Sequence, residues 1–476
     1  MRIGTRARMR SFGIGTIVRI AACLVVGFIL AGLALAGRQQ PVRAEPQLYG
    51  IEPTPQFAHT AASSCSASAC HGGGQVGKLG SEHTTWAPEV FASGSHDPHS
   101  KAYRSLFNPD SVRIAKLLGG GPAHENVLCL KCHAPAGVNE PTARAEGVGC
   151  TACHGPSEKW LSVHYLPEWK AKSNRDKWTE TGFVPTKNLT ARISNCATCH
   201  VGSADREVNH DLIAAGHPRL AFEYARFHYQ GSYRKHWEER VSQPDFEVRA
   251  WVIGQAASLR AAVDVLHSRA VKAKSNVAPW PEFAGHSCYA CHQSIGNKEP
   301  KGLKSLPGWE VWYTAAADRA ASQTPALFLG TEVPKLASLA ELKVFMSQRN
   351  PNPAEVEKLS VAARAELDAW LADLQVAEES SLPSTRTVAA TLMGQLASRG
   401  NADPDWDALA VHYLGCAAMY HAGGGGKAHP NAKQPLDEIR QSLGFPKGFN
   451  NPEGFDLKKL NGVRERFQTI EREFRR

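Results

Sequence analysis

Apolar residues along the chain form two distinct patterns. Near the N-terminus they form one continuous run from Ile20 to Ala36, behind an arginine-rich stretch. In the last third they recur at helical spacing, and the clearest example is the segment 353–374, with apolar residues at Val356, Leu359, Ala363, Leu367, Trp370 and Leu374. The first pattern is typical of a targeting or membrane segment. The second predicts amphipathic helices.

Four segments of the later half have helix signals. Phe246–Ala270 has an apolar side, and Pro353–Leu374 follows the spacing above. Asp403 and Pro404 are predicted to cap and begin a helix that runs through Tyr420 and stops at the glycines 423–426. A charged helix is predicted from about Asp456. We therefore expect a mainly α protein, in which residues 301–476 form a helical, bundle-like C-terminal region.

The N-terminal 44 residues have the features of an export signal. Arginines precede the apolar run, and Val42-Arg43-Ala44 ends it with a small residue at a cleavage position. The run of 17 apolar residues is also just long enough to span a bilayer, so an uncleaved inner-membrane anchor within residues 17–36 stays open. Either alternative places the body of the chain in the periplasm or elsewhere outside the cytoplasm.

The positive net charge does not indicate a nucleic-acid partner. Of the formal +9, seven charges are arginines within residues 1–44, a segment without acidic residues, so the remainder carries only +2. Binding to a polyphosphate requires a concentrated basic surface. We therefore expect no nucleic-acid partner.

The cysteines are arranged as cofactor-attachment motifs. Cys-x-x-Cys-His occurs four times, as Cys129-Leu-Lys-Cys132-His133, Cys150-Thr-Ala-Cys153-His154, Cys196-Ala-Thr-Cys199-His200 and Cys288-Tyr-Ala-Cys291-His292. Two thiols three residues apart lie on one face of a helical turn, where both can form thioethers with a porphyrin. The histidine that follows supplies a nitrogen to the iron. Zinc sites explain paired cysteines but not a histidine after every pair.

A fifth motif is wider than the others. Cys65-Ser-Ala-Ser-Ala-Cys70-His71 keeps the terminal Cys-His but separates its cysteines by four residues. A disulfide between Cys65 and Cys70 is the alternative interpretation. The retained histidine and the small intervening residues favour haem, so the sequence predicts five covalently attached haems c. Of the other cysteines, Cys23 lies in the apolar run and Cys416 is expected to be a small core residue.

Residues 57–296 resemble the cytochrome c-554 family of multihaem electron carriers. The resemblance is carried by Ser81–Trp86, Asp97–Tyr103, Cys153-His-Gly-Pro156 with His164 downstream, and Val208–Leu220. It implies a helical, loop-rich domain packed around haems, here assigned to residues 45–300, with mostly bis-histidine iron and electron transfer as its role. The family is typified by a carrier with four haems. The widened motif at Cys65 and the extra motif at Cys288 depart from that pattern, so the order of haems cannot be transferred directly.

The sequence also offers candidates for a second histidine on each iron. A second histidine keeps haem iron six-coordinate and low-spin. The preferred residues lie in the stretches that carry the resemblance: His99, His164, His210 and His217. His210 and His217 are seven residues apart, so on a helix both would lie on one face. His96 is an alternative to His99, although Asp97 and Pro98 begin a helix that would aim His99. Four further histidines compete for the fifth place: His59, His83, His124 and His286.

Two functions remain open on these grounds. The first is an electron relay between redox partners outside the cytoplasm, either donor and acceptor cytochromes or a quinol-linked complex. The second is an oxidoreductase acting on a small nitrogen compound (nitrite, hydroxylamine or nitric oxide) at one open-coordinate haem. No attachment motif has lysine in place of histidine, as the catalytic haem of pentahaem nitrite reductases does, which favours the relay. The oligomeric state is not predicted.

Overall fold

The computed structural model describes residues 57–75, 78–87, 97–230, 246–288, 308–328, 330–378, 385–402, 405–444 and 457–474. The predicted signal or anchor lies outside these residues, as do His96, Cys291 and His292. None of the helices within the described ranges is long and apolar enough to cross a membrane. Secondary structure in these ranges is helical and no β-strand occurs there, which confirms the mainly α prediction.

Numbered in chain order, the five motifs begin at Cys65, Cys129, Cys150, Cys196 and Cys288. Short helices and loops make up the region that contains the first four of them. Its helices are α1 (Glu82–Trp86), α2 (Pro109–Leu118), α3 (Val127–His133), α4 (Pro141–Arg144), α5 (Cys150–His154), α6 (Pro167–Ala171), α7 (Asn174–Thr181), α8 (Leu189–His200), α9 (His210–Ala214) and α10 (Tyr224–Gln230). Single 3₁₀ turns lie at Ala62–Cys65, Pro98–Lys101, Arg104–Phe107 and Pro135–Gly137. Asparagine side chains cap several of these helices, as Asn126 does by accepting a hydrogen bond from the Leu128 amide of α3.

Longer helices follow from residue 246 onward. They are α11 (Phe246–Lys274), α12 (Val311–Thr314), α13 (Ala317–Leu327), α14 (Ala337–Met346), α15 (Pro353–Ala377), α16 (Thr385–Ala402), α17 (Trp406–Ala422), α18 (Lys433–Leu443) and α19 (Leu457–Phe474). Further 3₁₀ turns occur at Phe283–Gly285, Gly425–Lys427 and Pro430–Ala432.

The central helix of this bundle is α11, which packs against α15, α8, α13 and α17. The structure confirms the apolar side predicted for α11. Residues on its other sides are buried as well, because neighbouring helices cover it from several directions. Trp251 of α11 and Trp370 of α15 are almost completely removed from solvent. Truncating a buried aromatic side chain of this size costs about 3–5 kcal/mol, so these two residues stabilise the bundle strongly.

The helix that carries the fourth motif, α8, belongs to this packing. Leu189, Ile193 and Ala197 are buried in the same hydrophobic cluster as α11. The Glu378 carboxylate, just beyond α15, accepts hydrogen bonds from the first two amides of α8, Leu189 N at 2.7 Å and Thr190 N at 3.1 Å. These contacts satisfy donors that a helix N-terminus leaves unpaired. The C-terminal bundle therefore fixes one attachment motif directly.

Sequence and structure agree on the main C-terminal helices, with shifted ends. α15 extends to Ala377 and α11 to Lys274, each three or four residues beyond prediction. α17 begins at Trp406 with Asp405 as its cap, whereas Asp403 and Pro404, the predicted start, lie outside the described residues. The proposed boundary at residue 300 stays a prediction, although α11, which precedes it, packs mainly with helices that follow it.

Candidate haem-binding site

Three of the regular motifs occupy helical turns, as thioether attachment requires. The cysteines of α3, α5 and α8 lie within the helix, and the motif histidine is its last residue: His133, His154 and His200. The widened motif instead begins in the 3₁₀ turn Ala62–Cys65 and reaches Cys70 through a hydrogen-bonded turn. The helical placement predicted for paired thiols is therefore confirmed for these three motifs.

The first four motifs line one cavity of about 2340 Å³. An ordinary small-molecule pocket measures about 300–1,000 Å³, so this space suits several large cofactors. The following motif residues line it: Cys65, Cys70, His71, Cys129, Cys132, His133, Cys150, Cys153, His154, Cys196, Cys199 and His200. His99, His164 and His217 line it as well, and so do His59, His83 and His228.

Polar groups around the cavity fit haem c. Trp160 Nε1 and Arg206 Nε are buried donors without a hydrogen-bond partner. An unsatisfied buried donor is costly, so such groups indicate acceptors that the bound cofactor supplies. Buried apolar clusters near the first motifs are small, for example Trp178, Val184 and Ala191, which leaves the cavity to be filled by cofactors. The residues present therefore fit haem.

Most of the candidate histidines are oriented by a hydrogen bond to Nδ1. His71 Nδ1 bonds Glu82 Oε2 at 2.9 Å, and His99 Nδ1 bonds Asp97 Oδ1 at 2.9 Å. In three other histidines, Nδ1 bonds a backbone carbonyl oxygen. His133 bonds that of Ala102 at 2.9 Å. His164 bonds that of Leu161 at 2.8 Å, and His217 bonds that of Pro218 at 2.7 Å. A partner on one ring nitrogen fixes the imidazole and leaves Nε2 for a metal.

Two histidine pairs have a separation that would allow both rings of a pair to bind one iron. The ring centroids of His71 and His164 are 6.2 Å apart, and those of His99 and His200 are 5.9 Å apart. Imidazole–metal bonds of about 2 Å on opposite sides of one ion place the two ring centroids about 6 Å apart. The first pair is nearly parallel, at 17°, and the second nearly perpendicular, at 86°.

The two rings of the second pair have opposite pKa shifts. Burial, and then the neighbouring charge of His99, lower the pKa of His200 to about 4. For His99, burial disfavours the charged ring, but the Asp97 carboxylate outweighs it and raises the pKa. Asp97 also accepts a hydrogen bond from the His99 amide as cap of the turn Pro98–Lys101, so it aims His99 as the sequence predicted and additionally orients the ring.

His217 and His210, predicted to share a helix face, lie in different surroundings. α9 begins at His210 and ends at Ala214, and Gly216 has a φ of +111° that turns the chain before His217. Burial lowers the pKa of His217, and the neighbouring His133 adds to this effect, so His217 lies near the second motif. His210 does not line the cavity. Its amide donates to Glu282 Oε1 at 2.9 Å and its ring contacts Phe283, on the segment that leads to Cys288.

The ring of Phe183 lies beside His154, the histidine of the third motif. The two ring planes are 21° apart and their centroids 5.9 Å apart. Trp160 contacts both Phe183 and His164 edge-on, at 5.3 and 5.6 Å, so aromatic side chains connect the surroundings of the first and third motifs. No sequence signal had marked Phe183 or Trp160, because their roles depend on contacts that only the fold creates.

The cysteines of different motifs are neighbours in a fixed order. The Cys65 and Cys150 side chains shift each other's pKa, and so do those of Cys132 and Cys199. Asn195 Nδ2, next to Cys196 of the fourth motif, donates to the Ala152 and Cys153 carbonyl oxygens of the third motif at 3.1 and 3.2 Å. The spatial order of attachment motifs is therefore first, third, fourth and second.

The last motif is described only at its first cysteine. Cys288 is partly exposed, and Arg219 Nη1 approaches its Sγ to 3.6 Å. The remaining cysteine expected in the core, Cys416, is fully buried in α17.

Comparison with known protein families identifies part of this site. Residues 68–155 match the family model of cytochrome c554 and c-prime. The match includes Cys70 and His71 and the whole second and third motifs, so it confirms the resemblance over this segment, and the family implies haem c as the cofactor. Cytochrome domains of this family are typically extracytoplasmic. No curated protein and no solved structure matches the chain significantly.

Proposed function

We propose that the protein relays electrons between redox partners outside the cytoplasm through five covalently attached haems c. The observation that carries the proposal is the histidine pairing within the shared cavity: His71 with His164, and His200 with His99. Haem iron supplies a one-electron couple when bound. Two histidine ligands keep it six-coordinate, which closes it to small substrates and limits rearrangement on reduction.

Two further ligands are assigned from position. His217 is assigned to the haem of the second motif because it lies near His133 and its Nδ1 is held by Pro218. His210 is assigned to the haem of Cys288, Cys291 and His292, since it contacts the segment that leads to this motif. The order of the attachment cysteines supports a continuous series, with the first and second motifs at its ends.

The partners are proposed from this chemistry. Donor and acceptor cytochromes, or a quinol-linked complex, would exchange single electrons with the series. Export by the N-terminal signal, or anchoring through residues 17–36, would place the protein where such partners occur.

Two measurements test the proposal on purified full-length protein. The intact denatured chain should carry the mass of five haems, and replacing Cys288 and Cys291 with alanine should remove one. Cys416→Ala is the control and should keep five, because this buried thiol lies in the bundle core. A wild-type mass with fewer than five haems contradicts the proposed number.

The second measurement separates the relay from the oxidoreductase. Reduced protein should show no rapid shift of its absorption bands with carbon monoxide, because the relay requires a second histidine on every iron. For the haem of His154 the candidates in the cavity are His59 and His83. Rapid stoichiometric binding to one haem, together with turnover of nitrite, hydroxylamine or nitric oxide, would establish the enzymatic alternative.

A further inference from the structure

The loop that follows the fourth motif is built to return toward it. Ser203 N donates to Arg206 O at 2.7 Å, and Arg206 N donates to Ser203 O at 3.1 Å, which closes a tight turn directly after α8. Gly202 enters this turn with a φ of +131°, and a Cβ there would lie 2.8 Å from both Arg206 O and a methyl group of Val265. Only glycine fits, so the backbone position of Arg206 is fixed by the turn.

The turn directs the Arg206 side chain to the contact between two motifs. Its Nη1 donates to Thr198 Oγ1 at 3.4 Å and lies 3.6 Å from Cys199 Sγ, both in the fourth motif. Cys199 in turn neighbours Cys132 of the second motif. The guanidinium therefore lies beside Cys199 and close enough to Cys132 to act on it electrostatically.

A second contact connects the same loop to the second motif. Lys131, which lies between Cys129 and Cys132, donates from Nζ to Asp205 O at 3.0 Å and pairs with the Asp205 carboxylate at 3.4 Å. Lys131 is therefore compensated by a carboxylate. Burial opposes ionisation of the Asp205 carboxyl, but Ser203, Arg206 and Lys131 lower its pKa, so Arg206 shares this carboxylate with Lys131. Arg206 makes no ion pair of its own within the described residues, and its Nε is buried without a partner.

We propose that Arg206 is a positioning residue that sets the reduction potentials of the haems attached at Cys129/Cys132 and Cys196/Cys199. Reduction removes one positive charge from a haem, so a fixed cation beside it favours the reduced state and raises the potential. Because Arg206 lies beside attachment cysteines of both motifs, its charge acts on both haems together. This inference rests on the proposed function, since it requires haem at both motifs.

Redox titration of the purified full-length protein, followed by electron paramagnetic resonance, tests this role. Arg206→Gln should lower two of the haem potentials by about 59 mV, which corresponds to a tenfold change for a one-electron couple, and leave the others in place. Arg206→Lys keeps the charge and should restore most of the shift. Asp205→Asn removes a negative charge from the exposed side of the loop and should move the same two potentials upward by a smaller amount.

The matched control is Arg260→Gln, in the bundle. Arg260 pairs with Asp368 at 2.9 Å and does not line the haem cavity, so none of the potentials should move. Equal shifts for Arg206→Lys and Arg206→Gln, shifts of the same sign for Arg206→Gln and Asp205→Asn, or no shift at all would overturn the inference. With five haems still measured by mass, these results leave the proposed relay intact, whereas absence of haem from either motif of the wild type overturns both.

Discussion

Arg219 and Asp407 form a buried ion pair across 188 positions of the chain. Arg219 Nη1 donates to Asp407 Oδ2 at 3.0 Å, and Nη2 contacts the other carboxylate oxygen. Their side chains are only 14% and 7% exposed. The guanidinium also lies over the rings of Trp312 and Trp406, at 5.5 and 6.0 Å, while it approaches Cys288. Helix α17 thus holds the start of the last attachment motif against the loop that follows His217.

Breaking this pair should be costly. Asp407→Asn leaves a buried arginine without its counter-charge, and loss of one partner of a buried pair costs about 3–5 kcal/mol. We expect a decrease of that size in the free energy of unfolding, measured by urea denaturation at pH 7 with the far-ultraviolet circular dichroism of the helices.

The control for this prediction is Asp368→Asn. Asp368 is also the carboxylate partner of an arginine, Arg260, at 2.9 Å, but the Asp368 side chain is 33% exposed. Solvent screens such a pair, so the loss should stay below about 1 kcal/mol. Equal losses for the two variants would mean that the Arg219–Asp407 pair contributes no more than a surface contact.

The widened first motif can be tested by mass. Replacing Cys65 and Cys70 together with serine should lower the number of covalent haems by one, because Cys65 lies beside Cys150 in the haem cavity. Intact-mass spectrometry of the denatured protein gives the count. If the two cysteines form a disulfide instead, the wild type will carry one haem fewer than predicted and the double variant will not change that number.

Removal of His99 should open one iron. His99→Ala deletes the ring that faces His200 at 5.9 Å, so one low-spin haem should become high-spin and its potential should rise, since a donor that favours ferric iron is lost. Electron paramagnetic resonance of the oxidised protein distinguishes low-spin from high-spin haem iron. His267→Ala is the control, because this ring bonds Ser360 within the bundle, and its spectrum should equal that of the wild type. An unchanged spectrum for His99→Ala would give His99 a structural role.

Glu223 should make stability depend on pH. Burial raises the pKa of Glu223 from its ordinary value of 4.5 to about 7, although the Ala225 and Arg226 amides donate to its carboxylate. A raised folded-state pKa means that the protonated form stabilises the fold at low pH, and that this stabilisation is lost as pH rises from about 4.5 through about 7. The loss should reach roughly 3 kcal/mol.

Glu223→Gln isolates this contribution. The neutral amide cannot ionise, so the variant should lose less stability than the wild type between pH 4.5 and pH 8, by urea denaturation at each pH. A parallel pH dependence of the two proteins would show that Glu223 ionises in the folded state as it does in water.

Local spacing in the sequence was enough to locate the attachment motifs and the main bundle helices. The sequence predicted that Asp97 begins a helix before His99. It could not predict that the Asp97 carboxylate also bonds the His99 ring, because the orientation of a ring depends on the fold. His210 and His217 were expected on one face, but α9 ends between them. Contacts such as Arg219 with Asp407, or Glu378 with the amides of α8, join distant segments and leave no local pattern.

Helix α8 has a consequence for how the protein matures. Its N-terminal half is packed in the apolar core built by α11 and α15, which needs no cofactor, whereas the buried apolar clusters around the earlier motifs contain only a few residues. Small clusters of this kind do not hold a fold alone. The bundle can thus fold first and present Cys196 and Cys199 on a formed helix, and the haem proposed at this motif would then give the remaining chain a surface on which to order.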